Sequence, residues 1–311
     1  MNAPPNHEKR QRFVDIARTH EAIATLVVHP CDRSSIEAAI DAAKLKLIRP
    51  ILVGPRPRID AIAGQFDLDI SPYECVDVPH SHAAAAKAVE LIRQGQAEAL
   101  MKGSLHTDEL MAEVVSRSSG LCTTRRISHC FAINATEFDT PIVISDAAVN
   151  IAPTLEEKAD IVRNAIDFAH ALGVTNVRVA ILSAIETVNS RIASTVDAAA
   201  LSKMAERGQI TGAIVDGPLA LDDAINPEAA RIKQFTSPVA GHANVLIVPN
   251  IEAGNMLVKS LTYLSHADGA GIVVGASVPI ILTGRADPVV VRLASCAVAV
   301  LVATASRDKA H

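Results

Sequence analysis

Tryptophan is absent from this chain of 311 residues, and aromatics are few, with two Tyr and six Phe. Alanine, valine, isoleucine and leucine must therefore fill the core, which suits helices layered on a parallel sheet whose strands are buried on both faces. So few aromatics leave little for base stacking. A basic surplus is missing too: the net charge is −5 and the pI near 6.1, so there is no electrostatic footprint for nucleic acid. Cysteine is scattered over Cys31, Cys75, Cys122, Cys130 and Cys296, an odd number with no C-x-x-C pair. That pattern argues against a disulfide framework or a structural zinc, and points to a reducing, cytoplasmic setting. The opening MNAPPNHEKRQRF has no apolar signal core. The most apolar run, residues 293–305, falls short of the roughly 20 residues that span a bilayer and reads as a buried C-terminal helix. No membrane partner is expected.

What the chain does have is alternation. Short apolar runs and helix-period segments follow one another, the pattern of an α/β fold. Strands are predicted at 25–28, 51–53, 75–78, 99–101, 142–145, 177–182, 213–215, 245–248, 271–274 and 280–282, with 127–133 as a further candidate. Thr154 and Glu157 form a capping box, and Val162, Ile166, Ala169 and Leu172 follow at helical spacing up to Gly173. The polar stretch 134–140 marks a candidate domain boundary.

Several predicted strands run into polar, glycine-containing segments: Asp216-Gly217-Pro218, residues 249–255 with Gly254 and Asn255, and Thr283-Gly284-Arg285-Ala286-Asp287. In parallel sheets ligands bind outside the carboxyl ends of strands, where glycine lets backbone approach and helix N-termini favour anions. Their repetition favours a ligand-binding enzyme over a scaffold. Arg285 has the donor fork to grip phosphate, and Asp287 either holds that guanidinium, accepts a proton, or merely caps the last helix. Lys102, Gly103, Ser104 and Thr107 read as a strand, a glycine turn and a helix start, an anion cradle or a capped helix with an exposed lysine. Arg126, Ser128 and His129 surround a short turn that is either a phosphate receiver or a solvated basic loop. Asp146 and Asn150 either orient a ligand or close an Asx turn. Asp216, Asp222 and Asp223 come nearest to a metal cluster, but structural capping is the better reading of the adjacent pair, and no metal is assigned.

At these segments the sequence resembles the phosphate acetyl/butyryltransferase family, on the butyryl side of it. The stretches that carry the likeness are LMKGSLHT (100–107), RISH (126–129), ISDAAVNIAPTLEEKADIVRNAI (144–166), VDGPLALDDA (215–224), VPNIEAGN (248–255) and GASVPIILTGRAD (275–287). The resemblance implies a two-domain α/β fold of the isocitrate dehydrogenase type, with mostly parallel sheets, helices on both faces and an active site in the interdomain cleft. Residues 1–134 with 272–311 would form the first domain and 135–271 the second. It also implies a cytoplasmic homodimer that exchanges an acyl group between coenzyme A and phosphate. Coenzyme A is then a substrate, and no cofactor is bound permanently.

The substrate-binding role of the family's Ser-Arg-Ala-Asp motif falls on Arg285. The family serine is replaced by Gly284, which leaves its backbone N–H or Thr283 to donate. The family's carboxylate base falls near Val291, which leaves Asp287 as the candidate. Asp146, Asn150, Asp216, Gly254 and Asn255 join Lys102, Gly103, Ser104, Thr107, Arg126 and Ser128 as expected substrate contacts. Two rivals follow from the same residues: a non-catalytic CoA or phosphate sensor, permitted by Gly284, and a hydroxy-acid dehydrogenase on the same fold.

Overall fold

The computed structural model describes residues 6–118, 120–134, 138, 140–265, 267–282 and 289–310. The chain begins with α1 (Asn6–Ala17), β1 (Ile23–Val28), α2 (Arg33–Lys44), β2 (Ile48–Gly54), α3 (Arg56–Gln65), β3 (Glu74–Asp77), α4 (Ser81–Arg93), β4 (Ala99–Lys102) and α5 (Thr107–Val114). Its middle supplies β5 (Ser128–Asn134), β6 (Ile142–Ser145), α6 (Leu155–Ala171), β7 (Arg178–Leu182), α7 (Ala193–Glu206) and β8 (Ile214–Leu219). Then come α8 (Leu221–Ile225), α9 (Pro227–Ile232), β9 (Val245–Ile247), α10 (Ile251–Lys259) and a π-helical turn at Ser260–Leu264. β10 (Asp268–Val274), β11 (Ile280–Ile281) and α11 (Val289–Ala310) complete the order.

Two compact units divide the chain, one formed by His7–Arg125 with Ala270–His311, the other by Arg126–Gly269. In the first, the strands run β3-β2-β1-β4-β11-β10, all neighbours parallel except β10 and β11. In the second they run β5-β6-β9-β7-β8, and β5 pairs antiparallel with β6 while the rest are parallel. β4, β6 and β9 are buried along their whole length, as parallel strands covered on both faces must be. With no indole to fill space, alanine does much of the helix packing: Ala84, Ala85 and Ala88 of α4, and Ala297 and Ala299 of α11, are fully buried. Every strand expected from the apolar runs is present, including the one at 127–133.

Local chemistry sets the ends. Thr154 Oγ1 accepts from the Glu157 N–H and the Glu157 carboxylate accepts from the Thr154 N–H, so the predicted capping box starts α6. Such a cap stabilises a helix by about 1 kcal/mol. Gly173, at φ +83°, takes the left-handed position after it.

Two expectations about element ends are corrected. Asp216, Gly217 and Pro218 do not form a loop; β8 continues through them. Glycine and proline read as a turn, but β8 is an edge strand with a register irregularity against β7, a place where both residues are tolerated. A Cβ on Gly217 would fall 2.7 Å from the Ile181 carbonyl oxygen, so the glycine serves the approach of β8 to β7. The C-terminal helix is also longer than the apolar run suggested. By length and composition alone, Val289–Asp308 could cross a membrane. Its residues Cys296, Ala297, Val298, Ala299 and Val300 nonetheless have no exposed surface and belong to the core.

Candidate functional site

In the first unit the carboxyl ends of β1, β4 and β11 lie side by side. β4 pairs with β1 through Lys102 opposite Val28, and with β11 through Met101 opposite Ile281. The strand that leads into residues 283–288 therefore ends beside the Lys102–Gly103 turn. Thr283, Gly284, Arg285 and Asp287 themselves lie outside the described residues.

That turn is locked to the end of β1. The Gly103 N–H donates to the Val28 carbonyl at 2.9 Å and the Ser104 N–H to the His29 carbonyl at 2.9 Å. A Cβ on Gly103 would lie 2.5 Å from Val28 O and 2.6 Å from His29 O, so only glycine permits this approach. The Ser104 hydroxyl is 2.8 Å from His29 O and 2.9 Å from His29 Nδ1, and it accepts from the Cys31 N–H at 3.3 Å. His29 was not among the residues singled out from sequence. It follows a largely apolar strand, and the strand-end rule applied to 25–28 would have found it. Burial first, and the Arg58 charge second, hold its imidazole below the usual histidine pKa, which favours the neutral ring.

Lys102 corrects the alternative of a capped helix with an exposed lysine. Its side chain is buried, and Nζ donates to Gly103 O at 3.2 Å and Leu105 O at 3.1 Å. The cation is held beneath the turn, its charge answered in part by carbonyl dipoles. Thr107 opens α5 as expected but is exposed, and Asp108 and Glu109 occupy the first turn. Two carboxylates there already complement the helix dipole, so the N-terminus of α5 attracts an anion less than the sequence suggested.

The second unit gathers another set. The Arg126 Nε donates to Asn150 Oδ1 at 2.7 Å, and its guanidinium pairs with Glu157 at 3.0 Å. Asn150 Nδ2 donates to Ile127 O at 2.9 Å and to Asp146 Oδ2 at 2.5 Å. Asp146 is buried, and its two oxygens accept from the backbone of Ala148, Val149 and Asn150. Of the two sequence alternatives the Asx turn is the one observed. Asp146 and Asn150 build the loop after β6, Asn150 holds Arg126, and both Asp146 oxygens accept hydrogen bonds within the loop. Ser128 is likewise buried, accepting from Asn164 Nδ2 at 2.9 Å. Arg126 is the group that remains half exposed.

Gly254 and Asn255 sit in α10, whose N-cap is Asn250. A Cβ on Gly254 would come within 2.4 Å of Asp146 O, and Asn255 Nδ2 reaches Ala147 O at 3.3 Å. Residues 251–255, read as loop, are helix, and they support the 146–150 loop from behind. His129 is buried with its ring stacked on Phe131, not on a solvated turn.

Asp216 does not join this group. It lies mid-strand, level with Ala180 and Leu246, three strand spacings or about 14 Å from β6. Its carboxylate accepts from the Gly217 N–H at 2.8 Å and from the Ser237 hydroxyl. The acidic trio is corrected accordingly: Asp222 and Asp223 are joined by Glu186 and not by Asp216. Of the thiols, burial pushes Cys31 up to about 11 and both Cys130 and Cys296 to about 12.

The profile of the phosphate acetyl/butaryl transferase family matches residues 80–300. A phosphate acetyltransferase of Rhizobium meliloti is 58% identical over 98% of this chain and 96% of its own length. A phosphate butyryltransferase of Clostridium acetobutylicum is 43% identical over 88% of this chain and 90% of its own. Among solved structures, a branched-chain phosphotransacylase from Enterococcus faecalis superposes with a TM-score of 0.79 at 30% identity, covering 90% of this chain and 99% of that one. Relatives of the acetyl and the butyryl kind thus both match over most of the chain, which belongs to the phosphate acetyl/butaryl transferase family.

Proposed function

We propose that the chain is a phosphate acyltransferase, carrying an acetyl or butyryl group between coenzyme A and inorganic phosphate in one direct step. The observation that carries the reading is the strand-end cradle of Lys102, Gly103 and Ser104, beside the strand that leads into Arg285. Phosphate is held by Arg285 with Ser104, over the buried charge of Lys102. Thr107 opens the helix that follows, and in the second unit Arg126, steadied by Asn150 and Glu157, is a half-exposed cation suited to a phosphate group. Asp146, Ser128, Gly254 and Asn255 act by positioning; Asp216 has no part in substrate contact.

In the reaction a phosphate oxygen attacks the thioester carbonyl, the C–S bond breaks, and the thiolate of coenzyme A leaves and takes up a proton. The reverse direction runs through the same tetrahedral oxyanion, for which the Gly284 N–H or the Thr283 hydroxyl donates and Arg285 supplies charge. Asp287 is the proton acceptor for the incoming thiol. An acyl-enzyme on cysteine is disfavoured. Cys31, near the cradle, keeps its proton at neutral pH because burial raises it to about 11, and a thiol in that form is a poor nucleophile. The chemistry needs no metal and no resident cofactor. Family resemblance adds a cytoplasmic homodimer to the reading.

The test is initial-rate kinetics on the purified protein with acetyl-, propionyl- and butyryl-CoA, each at several phosphate concentrations. Intersecting reciprocal plots and phosphate-dependent thiol release are expected. Parallel plots with acyl label retained on the protein would reject direct transfer, and the panel ranks the acyl chains.

A further inference from the structure

At the amino ends of the strands in the second unit lies a cavity of about 680 Å³. Val179 of β7 and Val143 of β6 both pair with Val245 of β9, so one step back Arg178, Asn244 and Ile142 stand in a row on one sheet face. Two residues further on, Ala180, Leu246 and Ile144 belong to one hydrophobic core, and the row forms the margin of that core. Asn244 fixes the backbone there: its Oδ1 accepts from the Arg178 N–H at 2.9 Å, and its Nδ2 donates to Asn176 O at 2.9 Å. The Arg178 side chain is half-buried, and its Nε is shut off from solvent with no hydrogen-bond partner. No Asp or Glu stands among the described residues that line the cavity. A buried N–H without an acceptor is rare in a folded protein. A guanidinium is a permanent cation, which burial penalises unless an anion meets it.

We propose that this cavity binds a small organic carboxylate, its anion on the Arg178 fork and its apolar body against Phe138, Ile142 and Ile225. One guanidinium matches one carboxylate in charge and in planar geometry. A phosphate dianion fits less well. The Gly173 and Gly241 N–H groups at the cavity already donate to His170 O and Asp223 O, so they form no nest for a second negative charge. The volume is that of an ordinary metabolite pocket. Ser145 ends β6 about 10 Å beyond Ile142, so the cavity and the Asp146–Asn150 loop lie at opposite ends of that strand. An occupant would brace the start of β7 against α8 without touching that loop. The site does not depend on the acyl-transfer reading.

Fluorine NMR of para-fluorobenzoate, titrated with the full-length protein, tests the assignment. Saturable binding is expected, one molecule per chain. Arg178→Met keeps the length of the side chain and removes its charge, and should weaken binding roughly tenfold or more, as loss of a charge-assisted hydrogen bond does. The uncharged para-fluorobenzamide should bind the wild type more weakly by a similar factor, a comparison that needs no variant. Inorganic phosphate at equal concentration should not displace the probe. Absence of saturable binding to the wild type overturns the proposal. So does equal affinity in Arg178→Met, equal affinity for the amide, or displacement by phosphate.

Discussion

The Nδ1 of His29 lies 2.9 Å from the Ser104 hydroxyl, which joins the ends of two neighbouring parallel strands at the Lys102–Gly103 turn. The same hydroxyl reaches the His29 carbonyl and the Cys31 N–H, so one small side chain fixes three points of the β1 end. Ser104→Ala should cost about 1 kcal/mol of stability, the ordinary worth of such a bond. Activity should suffer more, because in the proposed reaction the same side chain holds phosphate. A fall in kcat/KM of about tenfold or more, set beside urea melts, separates the two effects.

Gly103 admits no side chain. The predicted contacts of an alanine Cβ are with backbone oxygens of Val28 and His29, which cannot rotate away. Gly103→Ala should therefore destabilise the fold by about 1–3 kcal/mol, as overpacking does, and depress acyl transfer together with stability. A variant with wild-type denaturation and rate would show that β1 and β4 do not meet so closely.

His29 makes stability depend on pH. Its folded pKa lies below the ordinary 6.5, so below that pH the unfolded chain binds the proton more readily than the folded one. Stability is complete above pH 6.5 and declines as the pH falls toward the folded value. His29→Gln should flatten that decline in thermal melts between neutral and mildly acid pH. An unchanged slope would mean that the ring is not held neutral by its surroundings.

Thiol chemistry offers a further check. Cys122 is exposed, whereas Cys130 and Cys296 are buried with their pKa values pushed up to about 12. With a chromogenic disulfide, the native protein should label at Cys122 quickly and at Cys130 and Cys296 only after unfolding. Cys31→Ser should retain acyl transfer, since no acyl group passes through that thiol in a direct reaction. Loss of activity without loss of stability would point to a covalent route.

Much of this architecture was legible from pattern. Parallel strands buried on both faces read as apolar runs, which is why the strands predicted at 99–101 and 245–248 lie within a residue of those observed. The Thr154–Glu157 box was equally plain, because its chemistry is local. The failures share one cause: they depend on what lies across the fold. Lys102 looks like a surface lysine until Gly103 O and Leu105 O close over it. Asp216 looks like a loop acid because Gly217 and Pro218 follow, yet an edge strand absorbs both. Asp223 finds its partner Glu186 after a different strand, a pairing that no spacing along the chain announces. His29 lies at a strand end the sequence does mark, but its partner Ser104 is 75 residues away and meets it only because β4 lies beside β1.

The most direct test of the account is formation of acyl phosphate from acetyl-CoA and inorganic phosphate, compared between the wild type and Arg285→Ala. The account predicts steady turnover by the wild type and a loss of roughly 10²-fold or more in the variant, with unfolding unchanged. Full activity without the arginine, or no acyl phosphate from the wild type, would contradict it.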